Sequence, residues 1–101
     1  MSRYTLAPAA AKDLAEIWLY IRNQATEEMA NRVEATIRAK LGMLARMPGL
    51  GHRRSDITFR NVRFFRVYFY LIVYLDGRKP LQVVAILHGA RDLRPILSNR
   101  T

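Results

Sequence analysis

The sequence predicts an α+β fold in which an N-terminal helical hairpin packs on a small, mostly antiparallel sheet, in the order β-α-α-β-β-β and in two layers. Three observations lead there. Residues 9–46 hold two stretches with apolar side chains at helical spacing, joined by a short linker. The run from Arg63 to Leu75 is dense in β-branched and aromatic residues and contains neither Gly nor Pro. A chain of 101 residues can build one domain, residues 1–101, with a single sheet and one layer of helices, but not two cores.

Taken in order, Tyr4-Thr5-Leu6 is a short edge strand. Pro8 suits the first position of a helix, where its missing N–H would have no partner. That helix runs from Ala9 to about Asn23, with Ala10, Leu14, Ile17, Trp18 and Ile21 on the buried stripe and Lys12, Asp13, Glu16 and Asn23 away from it. Leu19 projects among the polar positions as an exposed apolar residue. Thr26 is the expected N-cap of a second helix, Glu27 and Glu28 complement its dipole, and Val33, Ile37, Leu41 and Leu44 form its buried stripe up to about Arg46. Met47-Pro48-Gly49-Leu50-Gly51 ends it, and His52 to Asn61 reads as a basic loop.

As one continuous strand, Arg63–Leu75 places Phe65, Val67, Phe69, Leu71, Val73 and Leu75 on an aliphatic face for the helices to cover. Arg66, Tyr68, Tyr70 and Tyr74 fall on a half-open face. Asp76-Gly77 supplies a turn, and Leu81 to His88 is the strand beside it. Gly89 ends that strand, and Asp92 to Leu97 is expected to form little more than a turn of helix.

The net charge is +9 and uneven: residues 1–45 carry six Lys or Arg against five Asp or Glu, whereas residues 46–101 carry eleven against three. A positive field on the sheet half favours an anionic partner, nucleic acid or an acidic protein segment. The absence of cysteine removes disulfides and thiolate metal sites. With no apolar signal core at the start and no apolar run long enough to span a bilayer, the sequence predicts a soluble, cytoplasmic protein. Gly49 and Gly51 lack the Lys and Ser/Thr of a phosphate loop, two histidines and scattered acids do not make a metal site, and Ser2, Ser55 and Ser98 have no nucleophile context. No cofactor is expected. What remains is Arg, His and Tyr on or beside a sheet, a set that can bind RNA, cleave RNA or grip a protein.

His88-Gly89-Ala90-Arg91-Asp92-Leu93 is the most specific stretch of a wider pattern. It joins Leu6-Ala7-Pro8-Ala9-Ala10 with Asp13-Leu14, Ile17-Trp18 and Tyr20-Ile21, Met47-Pro48-Gly49-Leu50-Gly51 with Arg54, and Arg63, Phe65 and Tyr70-Leu71-Ile72-Val73-Tyr74. In these stretches the chain resembles the ParE branch of the ParE/RelE toxin superfamily. The resemblance implies a toxin of a bacterial type II toxin–antitoxin module that inhibits DNA gyrase and is neutralised by a cognate, ParD-like antitoxin. Nucleic acid is then met only through the antitoxin or the target complex, and no membrane is involved. The alternative on the same fold is a RelE-like, ribosome-dependent mRNA endoribonuclease. Its catalytic candidates here shrink to Arg63, Arg66, His88 and Arg91, because no Tyr follows Tyr74 and no Lys follows Lys79.

On the ParE reading no residue is catalytic. Target binding is assigned to Arg91, Leu93, Arg94, Ile96 and Leu97, a tail whose removal is expected to lower toxicity and leave the fold intact. Antitoxin binding is assigned to Leu19, Tyr68 and Tyr70. One departure stands out: where the family has a Gly-containing turn between its central strands, this chain has Val67-Tyr68-Phe69, so the turn is made without Gly or is replaced by a bulge or a longer continuous strand.

Overall fold

The computed structural model describes residues 3–58 and 60–100; Phe59, within the expected basic loop, lies outside the described residues. Helix α1 spans Pro8–Gln24 and α2 spans Glu27–Arg46, within a residue or two of the expected bounds. The Thr26 hydroxyl accepts from the Met29 N–H at 3.0 Å, which satisfies one of the donors a helix start leaves open, and Glu27 and Glu28 occupy the first turn. Trp18 Nε1 donates to Asn31 Oδ1 at 2.8 Å and ties the two helices together.

The sheet has the order β1-β4-β3-β2. Strand β1 (Tyr4–Leu6) runs parallel to β4 (Leu81–His88), while β3 (Tyr70–Leu75) is antiparallel to both β4 and β2 (Val62–Val67). The fold class and element order are therefore those expected. The run from Arg63 to Leu75, however, is two strands rather than one. It reverses at Tyr68-Phe69, pairing Val67 with Tyr70, and Tyr68 holds φ at 56° in a place that usually selects glycine.

That reversal changes which side chains share a face. Pairing across the hairpin joins odd residues of β2 to even residues of β3, so Phe65 and Val67 lie with Tyr70, Ile72 and Tyr74. The tyrosine side of β3 is thus the side under the helices, and Tyr74 is completely buried. A bulge in β4 makes a second parity change. Val73 pairs with Ala85 and Tyr74 with Val83, leaving Val84 as the extra residue, so Leu81, Val83 and Ile86 all reach the same core. Ala10, Leu14, Ile37, Leu41 and Leu44 cover it from the helical hairpin.

The opposite sheet face is buried as well. Helix α3 (Leu93–Arg100) places Leu93 and Leu97 against Phe64, Leu71, Val73 and Leu87, a second cluster beyond the single core that chain length suggested. Eight residues of helix replace the single turn expected. Pro95 does not oppose it, because it stands in the first turn, where an N–H would have no helical acceptor. The Asp92 carboxylate accepts from the Arg94 N–H at 3.3 Å and starts the helix.

Asp13, expected on the solvent side of α1, is buried. Strand β1 ends where Leu6 meets Val83, so β4 has no outer strand from Val84 onward among the described residues. Asp13 Oδ2 accepts from the Ile86 N–H at 3.0 Å in place of that strand. Arg100 Nη1 reaches round the same edge to Asp13 Oδ2 at 2.5 Å and Val84 O at 3.2 Å, while its Nη2 meets Asp13 Oδ1 at 3.1 Å. Two side chains thus cap a strand edge that would otherwise leave backbone groups unpaired.

Candidate binding site at the open end of the sheet

The β2–β3 turn and the end of β4 meet where Tyr70 pairs with His88. Beside them, between α1 and the uncovered edge of β4, lies a cavity of about 450 Å³ lined by Asp13, Glu16, Ile17, Tyr20, Phe69, Tyr70, Ile86, His88 and Arg91. The His88 ring lies parallel to Phe69, with centroids 6.3 Å apart, and edge-on to Tyr70 at 5.8 Å. Its Nδ1 accepts from the Ala90 N–H at 3.1 Å, so the neutral imidazole carries its proton on Nε2 and offers a donor. Burial pushes the Tyr70 hydroxyl pKa up, with a smaller contribution from Tyr20.

The Arg91 backbone N–H donates to His88 O at 3.1 Å, which sets the chain's exit from the sheet. Its side chain lines both this cavity and a smaller one of about 190 Å³ bounded by Arg54, Asp56, Ile57, Asp92 and Arg94. Arg91 takes part in no ion pair among the described residues. The site therefore presents a guanidinium, an imidazole N–H and hydroxyl tips next to exposed rings, with Tyr20 62% and Phe69 67% exposed. This chemistry suits holding an acidic or aromatic group. No group of three or more His, Cys, Asp or Glu able to hold a metal occurs among the described residues.

Of the four residues proposed for RNA cleavage, only His88 and Arg91 line the same cavity. Arg63 and Arg66 stand three residues apart on β2, about 10 Å along the strand, and project to opposite faces. Arg63 is a structural residue: Nε donates to Asp76 Oδ1 at 3.0 Å and Nη1 to Gly51 O at 2.8 Å. Arg66 Nε donates to Tyr68 O at 3.0 Å and braces the turn.

Asp76 also receives Arg53 at 2.6 Å, and Arg63 first and Arg53 second hold its carboxyl below the usual carboxylate range. A depressed folded-state pKa gives stability that is present above the unfolded value, about 4, and is lost as pH falls through the folded value. The urea midpoint of wild type should therefore approach that of Asp76→Asn as pH is lowered below about 4. A constant gap between the two would contradict this.

In the tail, Leu93 and Leu97 are buried and Ile96 half-buried, whereas Arg94 is exposed and pairs with Asp92 at 3.2 Å. The accessible charges there are Arg91 and Arg94. Leu19 is 45% and Tyr68 51% exposed, and the Tyr68 hydroxyl reaches Thr36 Oγ1 on α2 at 3.4 Å, while Tyr70 turns into the cavity. Sequence reasoning missed Tyr20, Glu16 and Phe69 as site residues. Glu16 and Tyr20 lie at the margin of the apolar stripe around Ile17, and Tyr20 also stands in the family pattern, which were the available signals; Phe69 was placed on a buried face because the run was read as one strand through the family's turn position at Val67-Tyr68-Phe69.

Among the described residues no helix is long and apolar enough to cross a membrane. No curated protein matches the chain. A solved chain described as "Chromosomal ParDE TA system from P. aeruginosa" shares the fold, with a TM-score of 0.73 and 19% identity over 87% of this chain and 96% of that one. The family model described as the ParE toxin of the type II toxin–antitoxin system parDE matches residues 4–93, from β1 to the first residue of α3. With the match running over nearly the whole chain, this protein belongs to the ParE family, the toxins of type II toxin–antitoxin systems.

Proposed function

We propose that this toxin binds DNA gyrase and blocks it without covalent chemistry, and that a ParD-like antitoxin neutralises it. The observation that carries the reading is the cavity at the open end of the sheet. Arg91 and His88 line it beside exposed rings, yet His88 Nδ1 is occupied by a backbone N–H and no carboxylate hydrogen-bonds the imidazole among the described residues. Such a set recognises a partner more readily than it moves a proton, since a general base needs a free acceptor nitrogen aimed at its substrate. In this reading Arg91, Arg94 and the accessible edge of Ile96 touch the target, while Leu93 and Leu97 hold α3 in place. Leu19, Tyr68 and Tyr70 contribute to antitoxin binding.

Induced expression in bacteria lacking the antitoxin tests it. The expected result is a DNA-damage response with translation continuing, relieved by co-expression of a ParD-like antitoxin. Rapid collapse of translation with mRNA cut on ribosomes, lost in His88→Ala while the fold is kept, would replace this reading with the endoribonuclease one.

A further inference from the structure

The smaller cavity, of about 190 Å³, opens on the sheet face away from the helical hairpin, since Leu71 and Leu93 in its lining belong to the second core. Its rim carries three arginines and two aspartates from two separate segments: Arg54 and Asp56 before β2, and Arg91, Asp92 and Arg94 after β4. Four of the five are joined within their own segment. Arg54 Nε and Nη2 grip Asp56 as a fork at 2.9 and 2.8 Å, and Arg94 Nε meets Asp92 at 3.2 Å. The Arg91 guanidinium is left over, with no ion pair among the described residues. Arg66 joins them on this face: it shares the parity of Val62 and Phe64, which lie in the second core, and pairs across the hairpin with Leu71. Four arginines against two aspartates leave two positive charges unanswered at this end of the face.

We propose that this cavity holds a backbone phosphate of a DNA duplex, a direct contact with nucleic acid that goes beyond the gyrase reading and does not depend on it. Guanidinium forks match the paired oxygens of a phosphodiester. They would also attract carboxylates, but a protein partner needs apolar anchors, because exposed ion pairs contribute little. The apolar lining here is already spent on the second core: Leu71 and Leu93 are buried and Ile57 is half-buried. DNA needs no such anchor, since each phosphate neutralised releases condensed counterions. Single-stranded RNA is held by stacking its bases on rings, and no ring lines this cavity among the described residues. The contact is therefore to backbone and carries no sequence preference. Asp56 and Asp92 hold the arginines in place without DNA and compete with phosphate for them. Arg91 lines both cavities, so a duplex held here lies beside the proposed gyrase surface.

Fluorescence anisotropy of a short labelled DNA duplex, titrated with the full-length toxin in the absence of gyrase, tests this. The logarithm of affinity should fall against the logarithm of salt with a slope of about −2 to −3, as for two or three phosphate contacts. Arg54→Ala should weaken binding at least about fivefold at low salt and make the slope shallower by about one, with an unchanged melting temperature. Asp56→Asn and Asp92→Asn should each tighten binding about threefold, because the competing charge is gone. Asparagine also caps a helix start, so α3 is kept in the second of these. Purely structural ion pairs would give no such tightening. No duplex binding at about 50 mM salt would overturn the proposal, as would equal affinities in wild type, Arg54→Ala and Asp56→Asn. Thermal stabilisation by inorganic phosphate without duplex binding would mean a small-anion site and overturn it too. So would single-stranded RNA of the same length binding at least about tenfold more tightly than the duplex, or Arg54→Ala losing gyrase protein while keeping DNA. The duplex assay contains no gyrase, so its result stands whether or not supercoiling is inhibited.

Discussion

Deleting residues 93–101 should abolish cooperative unfolding. The segment supplies Leu93 and Leu97, both essentially inaccessible, to the second core. Burial of each contributes about 1.5–3 kcal/mol, and removing them also opens Phe64, Leu71 and Val73 to water. Loss of Arg100 leaves Asp13 with only the Ile86 N–H and uncovers Val84 O, adding about 1–3 kcal/mol. The total of about 5 kcal/mol or more is comparable with the whole stability of a small domain, about 5–15 kcal/mol. Circular dichroism across a thermal ramp reads this directly: a broad, weak transition is expected, and a melt like that of wild type would refute it. The tail is therefore not the dispensable contact that the sequence suggested. Its part in target binding has to be probed by Arg91→Ala and Arg94→Ala in the full chain, both exposed and both expected to melt as wild type.

Gly51→Ala should be the most damaging single methyl addition in the loop after α2. The Tyr74 hydroxyl accepts from the Gly51 N–H at 2.9 Å and donates to Pro48 O at 2.5 Å, locking the short 3₁₀ turn Pro48–Leu50 onto the sheet. A Cβ on Gly51 would stand 2.2 Å from that oxygen and 2.8 Å from the ring carbon bearing it. Overpacking of this kind costs about 1–3 kcal/mol, and displacing the loop breaks both hydrogen bonds as well, so a loss of about 3 kcal/mol is expected. Tyr74→Phe removes the oxygen alone and should cost about 1–3 kcal/mol. The double variant should lose less than the sum of the two, because the worst clash has gone while the one with the ring remains. Strict additivity in urea denaturation would mean the two residues do not meet as described.

What was legible in the sequence was whatever local chemistry determines. Pro8, Thr26, Glu27 and Glu28 marked the helix starts, and Leu14, Ile37, Leu41 and Leu44 marked the buried stripes, because capping and period 3.6 act within a few residues. The faces of the sheet were not legible, since strand parity depends on turns and bulges. Tyr68 makes a turn without glycine, Val84 makes a bulge without one, and each shifts every residue beyond it to the other face. Asp13 looked like a solvent position because its partners, Ile86 and Arg100, lie 73 and 87 residues away. His88 and Arg91 were singled out, His88 for the endoribonuclease alternative alone, because they sit in the most specific stretch of the family pattern, and both line the cavity. Tyr20 and Phe69 were missed because only folding brings α1 and the turn to the same cavity.

The proposed function has this ParE-family chain bind gyrase through the end of the sheet where His88 and Arg91 meet. Purified protein added to a DNA gyrase supercoiling reaction tests it most directly. Inhibition that rises with toxin concentration, weakens in Arg91→Ala and is relieved by antitoxin is the predicted result. Undiminished supercoiling at saturating toxin, with the same preparation cutting mRNA on translating ribosomes, would contradict it.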